Sequence, residues 1–369
     1  MQITELTPPA APTLGDQALR AAVARDRSVL LRFDISATEA GALSRLFAQF
    51  DLVHTANSAI VPLTALAPLE QALARRWPQA AAQVAALREA HRVLWQAGRF
   101  TFDVTARPLL YGILNVSPDS FYDGGRFVDQ ADMKAQVAQM VAAGVDVIEV
   151  GGQTTRPGFT AITPAEELAR IVPVLEFLRA EYRELPLAVD TYKLPVMTEA
   201  LALGVDIIND VNGFTDDPGK LALLANSSAG LLTMHSNRDS EYTDLTHEMR
   251  QFFTANLAAL EAAGIARDRI ALDQGIGYAK VADGQQDYAM MRNLDQLNDF
   301  HRPLMVAISR KGFGARLFGL AKDDRLPVTL VAEAAMFLKG GNILRVHDVT
   351  ETAQLIKMLR TIETAYWVG

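Results

Sequence analysis

From residue 108 onward the chain alternates short apolar runs with polar loops and helix-patterned stretches, and it does so eight times. The apolar runs are 109–114, 145–150, 187–190, 205–209, 230–234, 270–273, 304–307 and 342–346. Short, nearly continuous apolar runs suit the strands of a parallel sheet covered on both faces. The intervening stretches carry helix signals. Residues 133–143 stop at Gly144, residues 257–263 at Gly264, and residues 327–339 at Gly340-Gly341, all plausible C′ glycines. Thr163-Pro164-Ala165-Glu166 offers an N-cap, a proline in the first turn and a capping-box glutamate. Pro173, inside the helix that follows, should bend or split it. Eight strand–helix repeats over about 260 residues predict a (β/α)8 TIM barrel in the α/β class. A doubly wound sheet is the alternative, but no GxGxxG follows the first strand.

The residues before the barrel read differently. Residues 1–15, rich in Pro, Ala and Thr, predict a loose leader. Residues 29–34 read as a strand and 38–50 as a helix capped by Ser36 or Thr38. Residues 68–76 and 78–98 read as two further helices, each opened by a proline. Residues 99–107 alternate like a strand or hairpin. This divides the chain into an accessory α/β or mostly α domain, 1–96, and a barrel domain, 97–369. No chemistry is legible in the first; His54 and His91 read as ordinary structural or surface histidines.

Composition sets limits. The 369 residues, 50% hydrophobic and 21% charged, suffice for one large domain and a small one. There is no cysteine, which excludes disulfides, zinc–thiolate sites and a thiol nucleophile. The amino-terminal residues lack the basic-then-apolar order of a signal peptide, and no stretch approaches the ~20 apolar residues of a membrane span. The expectation is a cytoplasmic protein without a membrane partner. A net charge of −8 argues against nucleic acid, and an anionic substrate would need a local basic cluster.

In a barrel of this kind, polar residues at the carboxyl ends of strands read as the site. Here nearly every strand supplies one. The first ends in Asn115 and runs into Ser117, Pro118, Asp119, Ser120 and Phe121. The second runs into Gln153, Thr154, Thr155, Arg156 and Pro157. The third ends in Asp190, the fourth in Asn209-Asp210, the fifth in Met234-His235, the sixth in Asp273-Gln274, the seventh in Ser309-Arg310-Lys311 and the eighth in Arg345-Val346-His347. Each alone has a plainer reading: an N-cap for Asp190, a structural amide for Asn209, a surface charge for Lys311. Together, Asp190, Asn209, Asp273 and Lys311 could line a pocket for a flat heterocycle. Asn115, Arg156, Arg345 and His347 suit an anion and a hard cation. Arg345 and His347, two apart on a strand, point the same way.

The loop Asn115-Val116-Ser117-Pro118-Asp119-Ser120-Phe121 resembles the corresponding loop of dihydropteroate synthases, and the later strand ends match that family in the same order. The resemblance covers roughly residues 100–369. It implies a transferase of folate biosynthesis that joins 6-hydroxymethyl-7,8-dihydropterin diphosphate to 4-aminobenzoate and releases diphosphate. By the same resemblance, Asp190, Asn209, Asp273 and Lys311 bind the pterin, in a pocket region that includes Met234. Arg345 and His347 hold the diphosphate, with Asn115 the protein ligand of Mg²⁺. Arg156, with Thr154 and Thr155, helps close the site, and Phe121 and Pro157 flank the aminobenzoate ring. Lys311, Arg345, His347 and Arg156 are the groups nearest the chemistry. A homodimer is the assembly the family commonly forms. No protein nucleophile is required.

Three positions differ from the family pattern. Gln153-Thr154 stands where Glu-Ser is usual, Gln274 where Pro is usual, and Gly312 where a serine helps bind the aminobenzoate carboxylate. His235 lies either in the pterin pocket or just behind it. Two other functions compete: a methyltetrahydrofolate-type corrinoid methyltransferase, and a non-catalytic pterin-binding paralogue.

Overall fold

The structure, a computed structural model, describes residues 1–7, 13–116, 130–154, 160–235, 242–278 and 284–366. The chain forms two compact units. One comprises Met1–Arg92, Asp295–Phe300 and Lys357–Gly369, the other Val93–Leu294 and His301–Ile356. The boundary inferred from sequence, 96/97, falls four residues later than the first of these breaks.

In the first unit the order is β1 (Gln2–Glu5), α1 (Leu14–Arg25), β2 (Ser28–Asp34), α2 (Ala37–Gln49), β3 (Val53–His54), β4 (Ser58–Pro62), α3 (Leu66–Ala74) and α4 (Pro78–Ala90). The strands form an antiparallel sheet in the order β1-β2-β4-β3. β2 buries Val29, Leu31 and Phe33 on one face and exposes Arg32 and Asp34 on the other, the alternation of a half-covered strand. Leu43 and Phe47 of α2, Leu69 and Leu73 of α3 and Val84 of α4 complete a core of its own. The accessory domain is therefore α/β. Residues 2–5 are not a leader: they pair with β2 in register, Gln2 opposite Asp34. Nor does the fourth helix run to residue 98. It stops at Ala90, and Leu94–Ala97 instead forms a strand that buries Trp95 and Ala97 and leaves Leu94 and Gln96 half-buried.

The second unit begins with that hairpin, β5 (Leu94–Ala97) and β6 (Phe100–Asp103), turned at Gly98 with φ +60°. There follow β7 (Leu109–Asn115), α5 (Gln130–Ala142), β8 (Val147–Gly151), α6 (Pro164–Glu181), β9 (Leu187–Asp190), α7 (Leu194–Ala202), β10 (Ile207–Asp210), α8 (Pro218–Ala225), β11 (Gly230–Met234), α9 (Leu245–Ala262), β12 (Ile270–Asp273), α10 (Gln285–Arg292), β13 (Leu304–Val306), α11 (Phe313–Phe318), α12 (Leu326–Leu338), β14 (Ile343–Val346) and α13 (Val349–Glu363), whose residues from Lys357 onward belong to the first unit. Strands β7 to β14 are parallel and close into a barrel, β14 pairing with β7. All eight runs read from the sequence are strands; 187–190, 230–234 and 270–273 coincide with them, and the other five differ by one or two residues at one end or both. Val145 and Val205 look like strand residues because they are apolar. Their N–H groups donate back to the carbonyls of Met140 and Ala200, finishing the preceding helices past Gly144 and Gly204. The capping box is present: Glu166 N–H donates to Thr163 Oγ1 at 3.2 Å, and Thr163 N–H to Glu166 Oε2 at 2.7 Å. Pro173 does not split α6, whose buried Ile171, Val174, Leu175 and Leu178 hold it to the barrel across the lost hydrogen bond.

Strand side chains alternate in direction, so one set of every second residue fills the barrel. Leu109, Tyr111, Val147, Ala188, Ile207, Leu232, Ala271, Met305 and Ile343 are that set, and Trp95 and Ala97 of the hairpin join them. Trp95 Nε1 donates to the carbonyl of Arg269, just before β12, at 2.9 Å, so the hairpin stops the amino-terminal end of the barrel. The other end is left for function.

Candidate active site

Continuing the same alternation toward the carboxyl ends leads from apolar to polar residues. The interior positions become Glu149 and Gly151 on β8, Asp190 on β9, Asn209 on β10, Asp273 on β12, Arg345 on β14 and Asn115 on β7. The ladder register sets Asn115 beside Gly151, Gly151 beside Asp190, and Asp190 beside Asn209, a belt across four neighbouring strands. Outward positions do structural work instead. Asp210, next to Asn209, is fully buried and accepts from Lys220 Nζ at 2.7 Å. Gln274, next to Asp273, donates to the carbonyl of Met290 in α10 at 3.0 Å.

The belt is bonded through its charges. Arg345 Nε donates to Glu149 Oε1 at 2.7 Å, and Arg345 Nη2 donates to Glu149 Oε1 and, at 2.8 Å, to Asp190 Oδ2. Asn209 Nδ2 donates to Glu149 Oε2 at 2.9 Å. Burial works against charge on Arg345, yet Glu149 and Asp190 hold its pKa above the ordinary arginine value. Asp190 Oδ1 is buried and, among the described residues, has no hydrogen-bond partner. Burial raises the Asp190 pKa to about 7; Arg345 opposes the rise and Glu149 adds to it. Asp273 accepts from Gly275 N–H at 2.9 Å and is likewise raised by burial, against the pull of Lys311. Lys311 Nζ donates to the carbonyl of Ile276 and stands 5.2 Å above the ring of Tyr278. Its own pKa is lowered to about 8 by burial, which Asp273 partly offsets. Gly277, at φ +95°, makes room for this lysine: a Cβ there would lie 2.8 Å from Lys311 Cδ.

A cleft of about 360 Å³ opens at this end. Its walls include Asn115, Thr154, Asp190, Lys311, Arg345 and His347. His347 Nδ1 and Ser309 Oγ are 3.0 Å apart, which orients the ring. Asn209, Asp273 and Met234 are buried and are not among the walls. Phe121, Thr155, Arg156 and Pro157 lie outside the described residues. His235 is also set back: it packs against Phe252, with ring centroids 5.1 Å apart, and burial lowers its pKa.

Strand-end reasoning missed two sets of residues. Glu149 is one; its signal was a lone carboxylate in the middle of the apolar run Val147-Ile148-Glu149-Val150. The other is a basic rim, Arg316, Lys322 and Arg325, contributed by α11 and the turn after it. Arg316 is paired with Asp287, and Arg325 donates to the carbonyls of Leu320 and Arg310. Of the three departures, Gln153 is spent on structure: its Oε1 accepts from Ile162 N–H at 2.9 Å and Lys193 Nζ at 2.7 Å. At Gly312 a Cβ would meet, among the described residues, nothing nearer than Arg316 Nη1 at 3.6 Å, which is ordinary contact.

Residues 111–347 match the family model described as pterin binding enzyme. The chain is 36% identical over 269 residues to a dihydropteroate synthase of Synechocystis, covering 71% of this chain and 92% of that one. Two solved structures are similar. A Xanthomonas albilineans dihydropteroate synthase with 4-aminobenzoic acid has a TM-score of 0.69 at 32% identity, over 74% of this chain and 99% of that one. A Burkholderia cenocepacia dihydropteroate synthase complexed with 7,8-dihydropteroate has a TM-score of 0.65 at 32% identity, over 74% and 98%.

Proposed function

The chain belongs to the dihydropteroate synthase family of pterin-binding enzymes, and from that premise we propose how its own side chains divide the reaction. It is a transferase that joins 6-hydroxymethyl-7,8-dihydropterin diphosphate to 4-aminobenzoate, giving 7,8-dihydropteroate and diphosphate. That sets aside the methyltransferase and non-catalytic readings.

One observation supports the pterin assignment most directly: Asp190, a wall of the cleft, carries a buried carboxylate oxygen without a partner among the described residues. Such an atom is costly unless a ligand donor satisfies it. The 2-amino group and ring N–H groups of a dihydropterin are such donors. Asp190, Asn209 and Asp273 take the pterin edge, and Lys311 donates to its acceptors. Arg345 and His347 face the leaving group. Of the five N–H donors of Arg345, those on Nε and Nη2 are engaged by Glu149 and Asp190, which leaves Nη1 for an anion. The C–O bond to diphosphate breaks, the amine nitrogen bonds to the freed carbon and loses a proton, and no protein nucleophile takes part. Thr154, Thr155, Arg156, Phe121 and Pro157 keep the closing and flanking roles that the resemblance gives them, and Met234 keeps its place in the pterin pocket region.

Mg²⁺ belongs to the same proposal. Asn115 ends β7 half-buried and offers a hard carbonyl oxygen, with Gly151 packed closely beside it: a Cβ on Gly151 would lie 3.1 Å from Asn115 Oδ1. Among the described residues no group of three or more His, Cys, Asp or Glu side chains could hold a metal. This donor set fits a cation that keeps most of its waters and is held mainly by the substrate's phosphates. Bound there, Mg²⁺ would neutralise leaving-group charge. Turnover with both substrates is expected to fall on chelation, and Asn115→Ala to blunt the response to added Mg²⁺. Wild-type rates with the metal removed would exclude the assignment; no turnover with metal present would exclude the activity.

Pterin affinity should also depend on pH in both directions. In the free protein Asp190 is ionised only above about 7, and Lys311 is protonated only below about 8. Acid removes an acceptor and alkali removes a cation, so calorimetry should find the tightest pterin binding between those values. A flat profile would detach both groups from the pterin.

A cytoplasmic homodimer completes the proposal. No helix of the described residues is long and apolar enough to cross a membrane. Leu317 and Phe318 of α11 and Val331 and Leu338 of α12 are exposed, and light scattering would show whether a second copy covers them. No nucleic-acid partner is included, in keeping with the net charge of −8.

A further inference from the structure

We propose that Glu149 is a positioning residue that aims both halves of the site at once, an inference that rests on the pterin and diphosphate roles just given. Glu149 is 1% exposed, inside the barrel on β8. Its carboxylate is divided. Oε1 receives Arg345 through Nε and Nη2, and Oε2 receives Asn209 Nδ2 at 2.9 Å. Tyr111, fully buried in the barrel interior, is close enough for Glu149 to raise its pKa further above the ordinary phenol value, after burial.

Two consequences follow from the chemistry of a carboxylate. First, by occupying Nε and one Nη, Glu149 fixes the plane and direction of the guanidinium, which presents Nη1 to the leaving group. Second, a carboxylate paired with arginine can only accept. The Asn209 atom that faces Oε2 must therefore be the amide nitrogen, whichever way an amide might be drawn. That leaves Asn209 Oδ1 as an acceptor, and the second N–H of Nδ2 as a donor, for the edge of the heterocycle. Glu149 thereby decides which donor–acceptor pattern the pocket reads.

Glu149→Gln breaks this logic while nearly preserving shape. A glutamine cannot accept from Arg345 and from Asn209 Nδ2 with two oxygens, so its own N–H₂ turns toward one of them. Pterin affinity is expected to fall by about tenfold, and kcat to fall, while KM for 4-aminobenzoate stays within about twofold. Asn209→Ala should weaken pterin binding in the wild type and add almost nothing in the Glu149→Gln background, because the amide has already lost its orientation. A merely structural role would lower the melting temperature without that non-additivity and without separating the two substrates. If Glu149→Gln does not fold, Glu149→Asp, whose carboxylate is one methylene too short to hold Arg345 and Asn209 together, carries the same cycle. Additive losses, or wild-type pterin affinity in a folded variant, would overturn the proposal. Failure of the wild type itself to turn over would instead overturn the functional reading beneath it.

Discussion

Arg345→Ala is expected to cut turnover by about 10²–10³-fold and to weaken the binding of free diphosphate, while leaving the binding of 4-aminobenzoate nearly unchanged. A contact that strengthens as leaving-group charge develops acts on the rate more than on ground-state binding. The structure adds a second consequence. Arg345 is the hydrogen-bonded partner of both Glu149 and Asp190, whose side chains are 1% and 13% exposed. Removing it leaves two carboxylates facing one another, a loss of roughly 3–5 kcal/mol in stability for a buried pair of this kind. The variant should therefore unfold at lower denaturant. The pH dependence has a definite sign. Without arginine the Asp190 pKa, already raised to about 7, rises further above its unfolded value. A folded state that holds the proton more tightly loses stability as pH rises. The deficit should thus be smallest in mild acid and largest above neutrality. Arg345→Lys separates the two effects. A lysine keeps the charge and should recover part of the stability, but one ammonium cannot reproduce the forked geometry toward two carboxylates and an anion, so turnover should stay low. Wild-type turnover and diphosphate affinity in Arg345→Ala would refute the leaving-group role.

What the sequence made legible and what it hid both follow from range. Strand existence was readable because parallel strands buried on both faces are continuous apolar runs. The site was readable because interior polar residues collect at the carboxyl ends, and a period of two puts Asp190, Asn209, Asp273 and Arg345 on the interior without further information. Glu149 escaped because attention to strand ends passes over a charge in mid-strand; the alternation that selects Val147 and Gly151 selects it equally. Arg316, Lys322 and Arg325 escaped because they reach the cleft from α11 and the turn that follows, and no local pattern marks a helix residue as facing a barrel mouth. Leu94–Ala97 reads as helix in the sequence because Ala-rich α4 runs toward it. The deciding interaction, Trp95 donating to the carbonyl of Arg269, spans 174 residues. The strand Gln2–Glu5 likewise exists only through its pairing with β2.

Asp190→Asn and Asp273→Asn are each expected to weaken pterin binding by about 10- to 100-fold with the fold retained, for reasons that differ between the two. At position 190 the oxygen of the new amide must face Arg345, which only donates, so the amide nitrogen takes the place of the unpartnered Oδ1. A donor then meets the pterin's donor, and the loss exceeds that of a missing bond. At position 273 the N–H of Gly275 claims the amide oxygen, and Gly275 cannot yield: at φ +76°, even a Cβ on it would lie 2.1 Å from the carbonyl oxygen of His235. The nitrogen is again forced toward the ligand side. The two variants should differ in their pH profiles. Asp273 is the leading charge that supports the Lys311 cation against burial, whereas Asp190 is a weaker contributor. Losing Asp273 therefore lowers the Lys311 pKa below about 8, and the alkaline fall in pterin affinity should move to lower pH in Asp273→Asn. In Asp190→Asn the alkaline fall should hardly move, while the part of the acid fall that reports Asp190 near pH 7 should be lost, leaving only the part due to Asp273. Calorimetric titration of each variant across that range tests the assignment residue by residue. Equal affinity to wild type in both, or an alkaline limb that stays in place without Asp273, would detach these carboxylates from the pterin.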